Sequence, residues 1–202
     1  LINCAGSVVG QINGLTVVHY ADSEFGLPSR ITATVHQGGG DVLDIERTVD
    51  LGGSLHAKGV LILSSYLRAK FGRDRAIHFS ASIAMEQNYG GVEGDSATMA
   101  ELAALVSAIT ELPIRQDLGI TGSMNQMGEI QPIGGVNAKI EGYFAACQLK
   151  GFTGTQGVII PQQNVRHLML RTEILQAVEQ GLFRIYAVNH AEQALELLLG
   201  EP

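Results

Sequence analysis

Tryptophan is missing from this chain of 202 residues, and aromatic residues as a whole make up only 5% of it. Few platforms are therefore available for stacking nucleic-acid bases. Positive charge is also scarce: 13 Lys+Arg stand against 20 Asp+Glu, a net charge of −7. Phosphate backbones are held by local positive charge, so nucleic acid is not an expected partner. Cysteine is limited to Cys4 and Cys147. Two thiols make neither a disulfide framework nor a four-thiolate zinc site, and the plain expectation is two small buried hydrophobes in a reducing compartment. Long apolar runs are lacking as well. A stretch such as Val60 to Leu63 is far too short to cross a bilayer, and no charged leader with a cleavage site precedes one. A cytoplasmic location without membrane contact is expected. The chain starts at Leu1, not Met, which suggests a piece of a longer polypeptide.

Familiar chemical signatures are missing too. A P-loop needs Gly-Lys followed by Ser or Thr, because that hydroxyl binds magnesium. The nearest stretch, Gly52 to Gly59, puts glycine after Lys58 and has the wrong spacing. The six histidines (His19, His36, His56, His78, His167, His190) show no metal-ligand spacing. No G-x-S-x-G elbow is present. Neither a cofactor nor a metal is expected in this domain.

What is present is a well-patterned globular sequence. Hydrophobic residues reach 46% and charged residues 16%, which excludes a disordered chain or coiled coil. The first fifty residues read as β structure. Val8 to Ile12 and Leu15 to Tyr20 flank Asn13-Gly14, the strongest short hairpin signal. Arg30 to His36 alternates, and Gly38-Gly39-Gly40 turns the chain into Val42 to Val49, a second expected hairpin. Helical spacing takes over at Ser54 and stops at Gly72, with Leu55, Val60, Leu63, Leu67 and Phe71 near one stripe and His56 and Lys58 read as solvated surface. Ala76 to Ala84 reads as a strand, Met85 to Gly94 as a loop and Ser96 to Glu111 as a long helix. Leu118 to Gly122 is a short strand, and Gly128 to Ile133 part of a hairpin or tight loop. Asn137 to Lys150 is a helix closed by Gly151. The order then runs strand (Val158 to Ile160), helix (Asn164 to Gln180), strand (Phe183 to Val188) and helix (Ala191 to Leu199). The last helix is expected to open on an Asn189–Glu192 capping box. No linker or repeat divides the chain, so the expectation is one α+β domain over residues 1–202, built of hairpins and a mixed sheet packed with helices.

Two segments carry chemistry. Gly91-Val92-Glu93-Gly94-Asp95-Ser96-Ala97 delivers a serine onto the first turn of a helix. Helix N-termini present unpaired N–H groups and partial positive charge, which a serine nucleophile needs for its oxyanion. Asp95 or Ser96 as an ordinary N-cap would read the same way. Pro132-Ile133-Gly134-Gly135-Val136-Asn137-Ala138-Lys139-Ile140 is another glycine turn entering a helix, with a lysine in its first turn. A cation is unfavourable there, and burial would push it further toward the neutral amine that a general base requires. An exposed lysine reaching back to solvent is the alternative.

Gly94-Asp95-Ser96-Ala97 followed by Gly134-Gly135-Val136-Asn137-Ala138-Lys139 resembles the proteolytic domain of the Lon (endopeptidase La) ATP-dependent proteases, and the resemblance covers nearly the whole chain. Many members have Pro-Lys-Asp-Gly-Pro-Ser-Ala-Gly around the serine. The form here, with Glu86-Gln87-Asn88-Tyr89-Gly90-Gly91 upstream, looks more like the B-type and Lon-related proteases. The resemblance implies Ser96 as nucleophile, Lys139 as general base and Thr121 as the hydroxyl that helps hold the lysine, although Thr121 also reads as a plain strand residue. Asp95 and Glu86 are supporting candidates. Asp95 either caps the helix or pairs with Lys139 and keeps it protonated. The resemblance further implies unfolded or damaged proteins as substrates, a homo-hexameric ring, and an ATPase module outside this chain that uses ATP and magnesium. A non-catalytic ring-forming or docking domain of the same family is the alternative. A small-molecule kinase fits less well, because Glu93 and Asp95 would face the phosphates.

Overall fold

The computed structural model describes residues 2–72, 79–88, 91–92 and 94–200. In chain order the elements are β1 (Ser7–Val8), β2 (Gln11–Tyr20), β3 (Ser23–Gln37), β4 (Val42–Asp44), α1 (Ile45–Thr48), α2 (Ser54–Phe71), β5 (Phe79–Met85), α3 (Thr98–Thr110), β6 (Ile114–Arg115), β7 (Leu118–Ile120), β8 (Ser123–Met124), β9 (Ile130–Gln131), α4 (Val136–Lys150), β10 (Gly157–Pro161), a 3-10 turn (Gln162–His167), α5 (Thr172–Glu179), β11 (Arg184–Val188) and α6 (Ala191–Leu199). Among the described residues a mixed sheet of seven strands runs in the order β11-β10-β7-β2-β3-β5-β4. The half from β11 to β2 is parallel, β3 is antiparallel to both β2 and β5, and β4 lies parallel to β5 at the edge.

Strand alternation sends side chains to two cores. Ile12 and Ile159 face a core that takes in α2, α3 and α6, while Leu15, Val158 and Ile160 face a second core beneath α4 and α5. α3 and α4 therefore lie on opposite faces of the sheet. The short strand β7 lets them communicate. It leaves the sheet after Ile120, whereas its neighbours run on, β2 to Tyr20 and β10 to Pro161. The notch between those neighbours is where the two layers meet.

Several expectations need correction. Asn13-Gly14 does not turn; it lies inside β2, paired to Arg30 and Ser29. The buried Asn13 amide donates instead to the carbonyls of Asn3 and Gln116, at 2.7 and 2.9 Å. The hairpin turn comes later, at Ala21-Asp22, with Ala21 at φ 51. The second hairpin does not form. β4 pairs in parallel with β5, and the Asp44 side chain caps α1 by accepting from Glu46 N–H at 3.1 Å.

Three helices also differ from expectation. The helix after Ser96 starts at Thr98, so the serine sits on the turn before it. The helix expected over 164–180 is split. The Asn164 side chain accepts from Ile133 N–H and donates to its carbonyl, while the Asn137 side chain donates to His167 O and accepts from Met169 N–H. These bonds hold the chain away from α-helical geometry until α5 begins at Thr172. The cap of α6 is His190 with Gln193, one residue later than expected. The first three residues of the expected strand 76–84 lie outside the described residues; the rest is β5. α2, α4, α6 and the loop strands near 118–133 fall where the sequence places them.

Candidate active site

Ser96 is presented by the turn that leads into α3. That turn is bolted to the end of β7 by backbone bonds: Gly122 N–H donates to Ser96 O at 2.9 Å, and Met99 N–H to Gly122 O at 3.1 Å. The N-terminus of α3 has no side-chain cap, but its first two N–H groups are already bonded to backbone, Thr98 N–H to Asp95 O at 3.1 Å and Met99 N–H to Gly122 O. Lys139 comes from the other layer, in the first turn of α4, which opens on Gly135 in the left-handed region (φ 67). Close backbone approach sets its height over the sheet. A Cβ on Gly26 would fall 1.8 Å from Ala138 O, and one on Gly142 would fall 2.1 Å from Gly26 O. Only glycine at both positions lets α4 lie that close to β3.

The two side chains meet in the notch. Lys139, only 4% exposed, places Nζ 2.9 Å from Ser96 Oγ and 3.2 Å from Thr121 Oγ1. Thr121 is buried, and its hydroxyl donates to Ser96 O at 3.2 Å. Having spent its hydrogen there, Thr121 can only accept from the lysine. Nζ donates to both oxygens, so the amine and the serine hydroxyl are in direct hydrogen-bond contact. Burial pulls the Lys139 pKa down from 10.5 to about 8, against the opposing pull of the Asp95 charge. About a tenth of the lysine is then neutral at pH 7, against well under a thousandth at its ordinary value.

Asp95 is neither a helix cap nor a lysine partner. Its Oδ2 accepts from the buried Ser123 hydroxyl at 2.8 Å, and Ser123 also lies 3.2 Å from Gln131 Oε1. Among the described residues it makes no ion pair with Lys139. Glu86 is not brought to the dyad; it is exposed and faces Arg30 at 3.5 Å. Ser123 and Gln131 were not singled out in the sequence. The one available signal was the position of Ser123, two residues beyond Thr121. Among the described residues no group of three or more His, Cys, Asp and Glu is arranged to hold a metal ion, and no helix is long and apolar enough to cross a membrane.

Residues 6–201 match the family of the Lon protease (S16) C-terminal proteolytic domain. The chain belongs to that family. It is 51% identical to a protein of Escherichia coli (strain K12) named as a Lon protease homolog, over 98% of this chain and 34% of that protein. A Haemophilus influenzae protein named in the same way is 45% identical over 98% of this chain and 33% of its own length. An archaeal Lon protease of Thermococcus kodakarensis is 31% identical over 98% of this chain and 29% of its own length. This Lon-family chain thus spans about a third of the length of the curated relatives it matches.

Proposed function

We propose that this Lon-family chain is a serine endopeptidase domain working through a Ser96–Lys139 dyad. The observation that carries the reading is the 2.9 Å contact between the serine hydroxyl and a buried lysine whose other partner is a hydroxyl. The neutral Lys139 amine removes the hydroxyl proton as Ser96 Oγ attacks the scissile carbonyl carbon. Backbone N–H groups near Ser96 stabilise the oxyanion. When the C–N bond breaks, the lysine ammonium returns its proton to the leaving amine, leaving an acyl-serine. Water then attacks the ester while Lys139 accepts its proton, and that proton goes back to Ser96 Oγ as the acid departs. Thr121 orients the amine, and Ser123 keeps the Asp95 carboxylate from pairing with it.

By its resemblance to Lon, the domain is proposed to cleave unfolded or damaged proteins in the cytoplasm. It would work within a hexameric ring whose ATP-dependent, magnesium-requiring module lies outside this chain. The test is degradation of unfolded casein by the longer protein that carries this chain, beside Ser96→Ala and Lys139→Gln variants. Both substitutions are expected to abolish cleavage while leaving ring assembly intact. Cleavage that survives either one removes the dyad. Normal assembly and function without any cleavage by the wild type would favour the docking-domain reading.

A further inference from the structure

Glu46, Asp44, His56 and Glu101 are all at least nine-tenths buried, and the proposed mechanism uses none of them. His56 Nε2 on α2 stands 3.2 Å from Asp44 Oδ2 and 3.6 Å from Glu101 Oε1 on α3. Asp44 Oδ2, His56 Nε2 and Glu101 Oε2 have no well-aligned hydrogen bond. Taking this much charge out of water is expensive, so an apolar packing of equal volume would serve stability at least as well. A different benefit is visible in what the cluster holds.

Glu46 is the point where the cluster reaches the active site. Its Oε1 accepts from Met85 N–H at 2.9 Å, at the end of β5, and its Oε2 accepts from Asn88 Nδ2 at 3.4 Å. The Glu46 carbonyl accepts from Leu51 N–H and Gly52 N–H, at 2.8 and 2.9 Å. That turn grips Val92 from both sides: Val92 N–H donates to Leu51 O at 2.7 Å, and Gly53 N–H donates to Val92 O at 2.8 Å. Val92 lies four positions before Ser96. The Glu46 side chain therefore fixes Met85 and Asn88 on one side, while its backbone carbonyl, through Leu51 to Gly53, holds Val92 on the other. His56 and Glu101 brace the far side of the serine turn. Glu101 sits in the first turn of α3, and one turn beyond His56 a Cβ on Gly59 would meet Thr98 Oγ1 at 2.5 Å and Asp95 Cβ at 3.4 Å.

We propose that Glu46, backed by Asp44, His56 and Glu101, is a positioning residue for Ser96, fixing both ends of the approach to the nucleophile. The inference rests on the Ser96–Lys139 reading. A misplacement of about 1 Å can lower reactivity by as much as 100-fold, so a loss of about tenfold is expected when the grip is released.

The test is the maximal rate at which a fluorophosphonate labels Ser96 in this chain, measured across pH. Glu46→Ala should lower the plateau about tenfold and leave the pH limb set by Lys139 unmoved. Glu46→Gln, which keeps an acceptor for Met85 N–H, should restore most of that loss. Gly53→Pro serves if Glu46→Ala does not fold. Gly53 has φ −71, which proline accepts, and the change removes the N–H that holds Val92. It should lower the plateau in the same way with no ionisable group touched. Labelling that is lost in Ser96→Ala but proceeds at the wild-type rate in Glu46→Ala or Gly53→Pro overturns the positioning role alone. Labelling that persists in Ser96→Ala overturns the dyad instead.

Discussion

Lys139 and His56 are both basic side chains with almost no exposure, yet their pKa values move in opposite directions. Around Lys139, burial dominates and lowers the pKa to about 8, because its hydrogen-bond partners are two neutral hydroxyls and the nearby Asp95 opposes only weakly. Around His56, burial also pulls downward and is the largest single influence. The close approach of the Asp44 carboxylate and the charges of Glu101 and Glu46 together outweigh it, so the pKa rises. Glu101 is carried up to about 7, chiefly by burial and against the pull of His56. The difference lies in the company each cation keeps. A buried cation among hydroxyls is poised to exchange a proton, whereas among carboxylates the charged form is favoured and serves as a fastener.

That contrast can be broken most severely at Lys139. Replacing it with Met should reduce peptide hydrolysis by at least about a thousandfold, as removing one member of a nucleophile–base pair does. The same change should raise stability. A lysine whose pKa falls on folding destabilises the native state at every pH below about 8, and the penalty fades as pH climbs toward 10.5. At pH 7 its removal is worth about 3 kcal/mol by this measure, readable as a higher denaturant midpoint. His56→Ala should do the reverse. Leaving Asp44 and Glu101 buried without their cation is expected to destabilise by about 3 kcal/mol or more, in the same denaturant assay. If both substitutions moved stability in one direction, the distinction between the two sites would fail.

A smaller effect sharpens the comparison from the side of Asp95. Ser123→Ala frees that carboxylate to turn toward Lys139, so the base limb of the pH–rate profile should move to higher pH. Each unit of movement would be about tenfold in rate at neutral pH. Asp95→Asn should move the limb the other way, and the double variant should match Asp95→Asn alone. A Ser123→Ala loss that persists in the Asp95→Asn background would mean that the hydroxyl matters only for packing. Glu101→Gln tests the carboxylate side of the comparison. An acid whose pKa is raised on folding gives up stability as pH rises from its ordinary 4.5 to about 7. The wild type should therefore weaken across that window more than the Gln variant, as seen in melting curves collected at successive pH values.

The same contrast explains what the sequence could and could not reveal. Thr121 came only from the resemblance to Lon, whereas Ser96 and Lys139 stood out because each sits in a short glycine-marked stretch entering a helix. Their meeting across 43 positions needed the notch at β7, which no local pattern announces. His56 was misread as surface because its burial depends on Asp44 and Glu101, brought in from other elements. Asn13-Gly14 misled for a related reason. Its turn propensity is real, but Asn3 and Gln116 claim the Asn13 amide and Ile31 packs against the open side of Gly14. Asn164 and Asn137 likewise ended a helical pattern through contacts with distant backbone. Helices with their own stop signals, such as α2 at Gly72 and α4 at Gly151, needed no such help.

The account depends above all on Lys139 being a base near neutrality. Its side-chain ionisation can be followed by NMR in protein carrying 13C-labelled lysine, with the Lys139 signal assigned by its loss in Lys139→Gln. A midpoint near pH 8, coinciding with the base limb for Ser96 labelling, is the predicted result. A midpoint at or above the ordinary 10.5 while Ser96 remains reactive at pH 7 would contradict it.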